Sequence, residues 1–216
     1  MDVPATAHGR ATRERIVDAA ARLMAERGPA ATSLDDVRAA ASASKSQLYH
    51  YFGDKHGLVQ AVVRHQCAAV LRYQAERLRS VERLEDLDAW GDGMARDLES
   101  EHMRGGCPIG TLAAELADSD EASRGALADA LETWRLEIAA ALERLRGDRL
   151  LDRDADVDAL ATGMLAAIQG GLLLAKTARD SAPLRLALQG GLAQIRAPAL
   201  ARAHTHARTR ASARAR

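Results

Sequence analysis

A chain of 216 residues is long enough for one large or two small domains and can bury a substantial core. Its formal net charge of +0 excludes long-range attraction of the whole molecule to DNA, so any nucleic-acid binding must come from a local patch and from symmetry. Aromatic residues make up only 3%, so the core has to be built from Leu, Ala, Val and Ile. Two cysteines, Cys67 and Cys107, are too few for a disulfide framework and lack zinc-site spacing, which fits a reducing, cytoplasmic compartment and no metal. No N-terminal apolar segment reads as a signal, and no run approaches the roughly 18 apolar residues that span a bilayer, so no membrane partner is expected.

Residues 1–10 carry Pro4 and Gly9 without apolar periodicity and are expected to be a disordered arm. Arg10, Arg13 and Arg15 at its end suit either phosphate contact or an ordinary frayed basic terminus. A helix is predicted from about Thr12 to Arg27, with Ile16, Ala19, Ala20, Leu23 and Met24 in one stripe and Gly28-Pro29 as its stop. Ser33 caps a second, short helix whose Asp35 and Asp36 suit the positive end of the helix dipole. Its inward residues are Leu34, Val37 and Ala41. Ser44 caps a third helix that turns Leu48 and Phe52 inward, leaving Lys45, Gln47 and His50 outward. Two short helices meeting across a tight polar turn form a helix-turn-helix, and residues 11–56 read as a DNA-binding domain.

On that geometry Lys45 and Gln47, near the start of the third helix, are placed to read base edges, whereas Ser33, Tyr49, His50 and Lys55 are placed on phosphates. Ser44, which opens the helix, completes the set. The lysines of the chain are Lys45, Lys55 and Lys176, so two of them flank this one helix.

The stretch from Arg13 to about Val63 resembles the DNA-binding domain of the TetR family of bacterial transcriptional regulators. The matching residues are Ile16 to Ala20 with Leu23 and Gly28, Thr32-Ser33-Leu34, Ser44-Lys45, Leu48 to Phe52, and Asp54-Lys55. Gly106 to Gly110 is similar to one subgroup of that family. Two positions depart from the pattern. Ser42 stands at a turn position usually held by Gly, and Arg38 occupies a usually small position between the two short helices.

A long helix from about Lys55 to Ser80 follows the break at Gly53-Asp54, with Leu58, Val62, His65, Ala69 and Leu78 along it. Further helices are expected at about 82–103, 109–118, 121–146, 155–179 and 184–196, with no alternating strand pattern, so the fold is all-α. Residues 57–196 read as one helical ligand-binding and dimerisation domain. Its last two helices are apolar on several faces and contain Gly170, Gly171, Gly190 and Gly191. They suit a four-helix homodimer interface involving Leu173 and Leu188, the alternative being a pair buried inside one subunit. The acid-free tail 197–216 is expected to be disordered and basic.

Enzyme signals are weak. Cys107 lies five residues after His102 at a helix start, which suits a reactive thiol, but without partners by motif a buried cysteine fits better. No phosphate-binding loop, dinucleotide fingerprint or metal motif is present, and no cofactor is expected. The TetR resemblance implies a pocket for a small apolar or amphipathic ligand, with Trp90, Met94, Met103, Cys107, Trp134, Met164 and Gln169 as candidate lining. Taken together these residues point to a homodimeric transcriptional repressor that binds a near-palindromic double-stranded operator and is released by a small molecule. The rival readings are an architectural DNA-binding protein without an effector, and a helical binding protein or enzyme carrying a vestigial helix-turn-helix.

Overall fold

The computed structural model describes residues 6–100 and 106–197. Among them are helices and no strand: α1 (Ala7–Ala31), α2 (Leu34–Ala40), α3 (Lys45–Phe52), α4 (Lys55–Arg79), α5 (Leu84–Ser100), α6 (Pro108–Leu116), α7 (Glu121–Gly147), α8 (Val157–Ala178), and α9 over residues 182–197. The fold is all-α, as the periodicity predicts.

Most helix limits fall within a few residues of expectation because local side chains set them. Asp54 Oδ1 accepts from Gly57 N at 2.8 Å at the start of α4, and Asp156 Oδ1 accepts from Ala159 N at 3.0 Å at the start of α8. Gly28 breaks α1 with φ 82, a left-handed value that glycine adopts without a Cβ penalty. Its Cα also faces α6, where an added Cβ would lie 2.6 Å from Glu115 Oε2. One limit differs. The predicted arm is helical from Ala7, because Thr6 caps α1 by accepting from Gly9 N at 3.1 Å. The expected features of residues 1–5 and of the tail 198–216 lie outside the described residues.

The chain packs into two compact units that interleave in sequence. The first comprises residues up to Arg72 together with Cys107–Leu131, and the second comprises Tyr73–Gly106 and the residues from Glu132 onward. This packing differs from the simple division at residue 56, since α4 and α7 each contribute to both units.

In the first unit Ile16, Ala20 and Met24 of α1, Val37 of α2, Leu48 and Phe52 of α3, and Leu58 and Val62 of α4 are buried. His65, also along α4, is exposed, and its Nε2 lies 3.2 Å from Asp18 Oδ1. In the second unit the core joins Leu78, Leu87, Trp90, Met94, Trp134, Ile138, Leu142, Met164, Ile168, Leu184 and Ile195. Arginines stitch its surface: Arg135 to Asp158 at 2.7 Å, Arg185 to Glu99 at 2.9 Å, Arg196 to Asp88 at 2.6 Å, and Arg144 to the Leu78 carbonyl at 2.6 Å. Glu99 is held below the usual carboxylate range, chiefly by the Ser181 hydroxyl and then by Arg185.

Helices α8 and α9 approach closely inside one subunit. A Cβ on Gly171 would lie 3.0 Å from the Leu184 backbone, and one on Gly191 would lie 2.9 Å from Met164 Cε. Gly170 and Gly190 face open space. Leu188 is only 4% exposed and rests on Gly91 at 3.5 Å from that residue's Cβ position, so it belongs to the subunit core and not to an outer face. By length and composition α8 is apolar enough to cross a membrane, which the expectation of no such segment overlooked. It packs as a core helix through Ala161, Met164, Ile168 and Ala175.

The glycines make opposite predictions. Gly171→Ala has to move backbone and is expected to destabilise by about 1–3 kcal/mol, less the roughly 1 kcal/mol gain in helix propensity. Gly125→Ala, within α7 and with nothing inside 4 Å, is expected to stabilise by about 0.5–1 kcal/mol. Urea unfolding midpoints of the two variants check the signs.

Candidate nucleic-acid interface

The third helix is eight residues long, and two features hold it. Leu48 and Phe52 anchor its inner side in the first unit's core. At its start Gln47 N donates to Ser44 Oγ at 3.1 Å while Ser44 N donates to Gln47 Oε1 at 2.9 Å, a reciprocal capping box. The turn before it keeps the shape usual for glycine: Ser42 adopts φ 46, so strain is carried on a side chain that favours φ below zero. Arg15 Nε donates to the Ala41 carbonyl at 2.9 Å and braces this turn from α1. Arg38 points outward, with its Nε 3.2 Å from Asp35 Oδ1, so the contact between α2 and α3 is not widened.

With the inner side fixed, Lys45, Ser46, His50 and the Tyr49 ring are exposed and Gln47 is half-buried. Lys45 Nζ lies 5.9 Å from the Tyr49 ring centroid, a cation–π distance that orients both groups along one edge of α3. His50 meets Tyr51 edge-on at 5.0 Å. Since Gln47 Oε1 is engaged by the cap, its Nε2 is the part left to donate outward. Ser46 shares this face and was missed by sequence reasoning; its position between Lys45 and Gln47 was the available signal.

Two predicted phosphate residues are committed elsewhere. Both donors of Ser33 go to Asp36 Oδ2, the backbone N at 3.0 Å and the hydroxyl at 2.7 Å, and Asp36 N returns a bond to Ser33 Oγ at 3.1 Å. These Ser33 bonds, hydroxyl first, hold Asp36 below the usual carboxylate range, so the positive end of α2 already carries an anion of the protein's own. Lys55 Nζ donates to the Ala30 carbonyl at 2.9 Å and closes the end of α1, leaving two ammonium protons for other acceptors.

The candidate ligand residues fall apart into groups. Trp90, Met94, Trp134 and Met164 are buried in the second unit, and Gln169 is half-buried on α8. Cys107 is buried in the first unit, where its Sγ caps α6 by accepting from Gly110 N at 3.5 Å. Met103 lies outside the described residues. Burial, reinforced by Cys107, pushes the Cys67 thiol up to about 11, so it stays protonated at neutral pH. Among the described residues no cluster of His, Cys, Asp and Glu is arranged to hold a metal.

Bacterial regulatory proteins of the tetR family match residues 16–62, the segment that carries this interface, and the LmrA/YxaF-like transcriptional regulator C-terminal domain matches residues 84–189. An uncharacterized HTH-type transcriptional regulator of Mycobacterium tuberculosis is 34% identical over 182 residues, covering 81% of this chain and 89% of that protein. The chain belongs to the TetR family of transcriptional regulators. The transcriptional regulator AcuR of Cereibacter sphaeroides is 29% identical over 79% of each protein. Among solved structures, the reduced form of E. coli NemR superposes with a TM-score of 0.77 at 26% identity, covering 86% of this chain and 97% of that one. A TetR-family regulator from Cytophaga hutchinsonii, at 21% identity and a TM-score of 0.80, shares the fold. This TetR-family chain thus has an N-terminal helix-turn-helix domain followed by a C-terminal helical domain.

The Lys55 contact predicts a stability effect independent of DNA. Lys55→Ala returns the exposed Ala30 carbonyl to water and is expected to lower the unfolding free energy by only about 0.5 kcal/mol. Chemical denaturation of the free protein measures it, and an unchanged midpoint would mean that the bond contributes nothing in solution.

Proposed function

We propose that this protein is a homodimeric repressor that binds a near-palindromic operator through α3 and releases it when a small apolar or amphipathic ligand enters the helical domain of each subunit, in the cytoplasm. The observation that carries the reading is the outward face of α3, where Lys45, Gln47 and His50 stand on a helix anchored by Leu48 and Phe52. A helix so presented enters the major groove, with residues near its start on base edges and those at its far end on the backbone. Lys45 and the Gln47 amide N–H group read bases, while Ser44, Tyr49, His50 and the remaining protons of Lys55 hold phosphates. Ser33 contributes through the α2 cap and not through a phosphate bond of its own.

Gln47→Ala removes one reader and one half of a cap. It is expected to alter preference at one or two operator positions, at about 1–3 kcal/mol of discrimination each. A panel of single-base operator variants measures this by equilibrium binding, and an unchanged ranking across the panel would refute base reading by Gln47.

A dimer is supported by the apolar side chains that α8 and α9 leave outward: Leu173 is 66% exposed, Leu174 59% and Leu186 67%. In one subunit these have no apolar cover, and a second copy of the same face supplies it. An Arg at Leu173 leaves the subunit fold untouched but buries an unpaired charge in such an interface, a cost of about 3–5 kcal/mol. Leu173→Arg is expected to sediment as a folded monomer with weakened operator binding. If it remains a dimer, the interface lies elsewhere. Leu188, buried in its own subunit, is the wrong position for this test.

The ligand site is assigned to the second unit, where Trp90, Met94, Trp134 and Met164 supply large or polarisable apolar surface and Gln169 a polar group.

A further inference from the structure

The connection from α7 to α8 is ordered by its own backbone. Asp148 N donates to the Arg144 carbonyl at 3.0 Å, Arg149 N to that of Arg146 at 3.1 Å, and Leu150 N and Leu151 N both to that of Leu145, at 2.9 and 3.2 Å. Three of the last carbonyls of α7, the negative end of its dipole, are thereby satisfied and do not stand bare against an anion. Arg149 turns the chain with φ 64, a left-handed value, and Leu151 is buried.

This connection borders an open cavity of about 540 Å³ whose lining is Arg146, Gly147, Arg149, Leu151 and Arg153. Three of those side chains are guanidinium groups, and none is acidic. The arginines differ in what they already hold. Arg146 is fixed across the connection, with Nη1 donating to the Ala155 carbonyl at 3.2 Å and Nη2 to Glu143 Oε2 at 2.6 Å. Arg149 and Arg153 are exposed and have no ion pair among the described residues. Neighbouring Arg144 is outside the lining and donates to the carbonyls of Ala140 and Leu78.

The acids of the same stretch do not answer these charges inside the cavity. Glu143 holds Arg146, Asp152 Oδ1 accepts from Asp154 N at 2.9 Å, and Asp156 Oδ1 caps α8 from Ala159 N at 3.0 Å. Asp148 and Asp154 are exposed and outside the lining. What the cavity presents is therefore positive charge in the form of planar, five-donor forks, which match the paired oxygens of carboxylate and phosphate. Its volume is that of a small-molecule site and exceeds what one monatomic ion fills.

We propose that the cavity at the α7–α8 connection is a receptor for a small oxyanion of two or more negative charges, a polyphosphate or a polycarboxylate, held by Arg149 and Arg153 against the fixed Arg146. Such a ligand is opposite in character to the apolar effector, and neither that effector nor the outward face of α3 is needed to bind it.

The test uses the full chain labelled with ¹⁵N-glycine, in which the Gly147 amide is a probe within the lining. Gly147→Ala, whose added Cβ meets nothing within 4 Å, assigns its signal. Pyrophosphate and citrate are titrated in metal-free buffer, with sodium chloride at matched ionic strength as the reference. The Gly147 signal is expected to move saturably with at least one of the two probes and not with chloride. Movement with pyrophosphate alone assigns phosphate oxygens, with citrate alone carboxylates, and with both the shared charge, each supporting the receptor. Arg149→Gln and Arg153→Gln are expected to weaken the titration about 3-fold each and about 10-fold together, the size of effect that solvent-exposed charge pairs allow. Both side chains are exposed, and Arg153→Gln alone serves if the double variant does not fold. No saturable movement with either probe, an equal movement with chloride, or an affinity unchanged by the arginine substitutions would overturn the proposal. No DNA or apolar ligand takes part, so failure of the repressor reading shows separately, as an absent operator complex with the Gly147 response intact.

Discussion

An eight-residue helix does not hold together alone, and the candidate DNA-reading surface stands on one. Isolated helices shorter than about 12–15 residues are marginal in water even for favourable sequences. The conformation of α3 therefore depends on the Ser44–Gln47 box at its start and on Leu48 and Phe52 pressed into the first unit. Cap and anchor fix two different things. The cap satisfies backbone amides and sets where the helix begins, and the anchor sets which side turns outward. Only with both in place do exposed Lys45 and His50 and half-buried Gln47 turn away from the core. Gln47 is the point at which the two demands meet, because its carbonyl serves the fold while its amide protons remain for a partner.

Charge is distributed with the same economy. A net charge of +0 hides a chain with 30 basic and 30 acidic residues, and the structure shows where much of the basic charge goes. Arg135, Arg185 and Arg196 join helices of the second unit to one another through carboxylates, and Arg146 pairs with Glu143 on its own helix. Such pairs are exposed or half-exposed and each contributes modestly, but they neutralise charge that would otherwise compete with the reading head for phosphate. Within the head the same logic appears in reverse. Asp36 occupies the start of α2, with Arg27 at 3.8 Å, so the end of the helix dipole that most favours anions is not left for DNA. Beside that cap, Lys45 on α3 and Lys55 at the start of α4 carry positive charge.

What was legible in the sequence was what short-range chemistry decides. Ser33, Ser44, Asp54 and Gly28 mark helix limits because caps and left-handed turns are made by residues within four positions of one another, and the structure places all four as read. Ser42 was legible too, as the residue forced into φ 46 where glycine usually serves. What was not legible was long-range or ambiguous by period. Lys55 meets a carbonyl 25 residues away, a contact that no local pattern encodes. His65 of α4 meets Asp18 of α1, again far apart in sequence. On α9, apolar on several faces, spacing alone does not say whether Leu186 or Leu188 turns to its own subunit; packing on Gly91 settles that in favour of Leu188. The Ser-x-x-Gln pattern at 44–47, by contrast, was local and available, and it identifies Gln47 as a cap as well as a reader.

On the proposed reading, affinity and regulation have one source. A single α3 with a few exposed cations offers too few contacts for a neutral protein to find and hold a site, so binding strength has to come from two heads acting at once. Two heads on a symmetric dimer enter successive major grooves only when they are about 34–36 Å apart or a multiple of one helical turn. That spacing is a property of the dimer and not of either head, which makes it the quantity a ligand in the helical domain can alter without unfolding anything. A ligand changes it only to the extent that it binds the mismatched arrangement better, and a typical coupling of about 1–3 kcal/mol weakens DNA binding roughly 5- to 150-fold. The effector must therefore gain interactions in one arrangement that it lacks in the other.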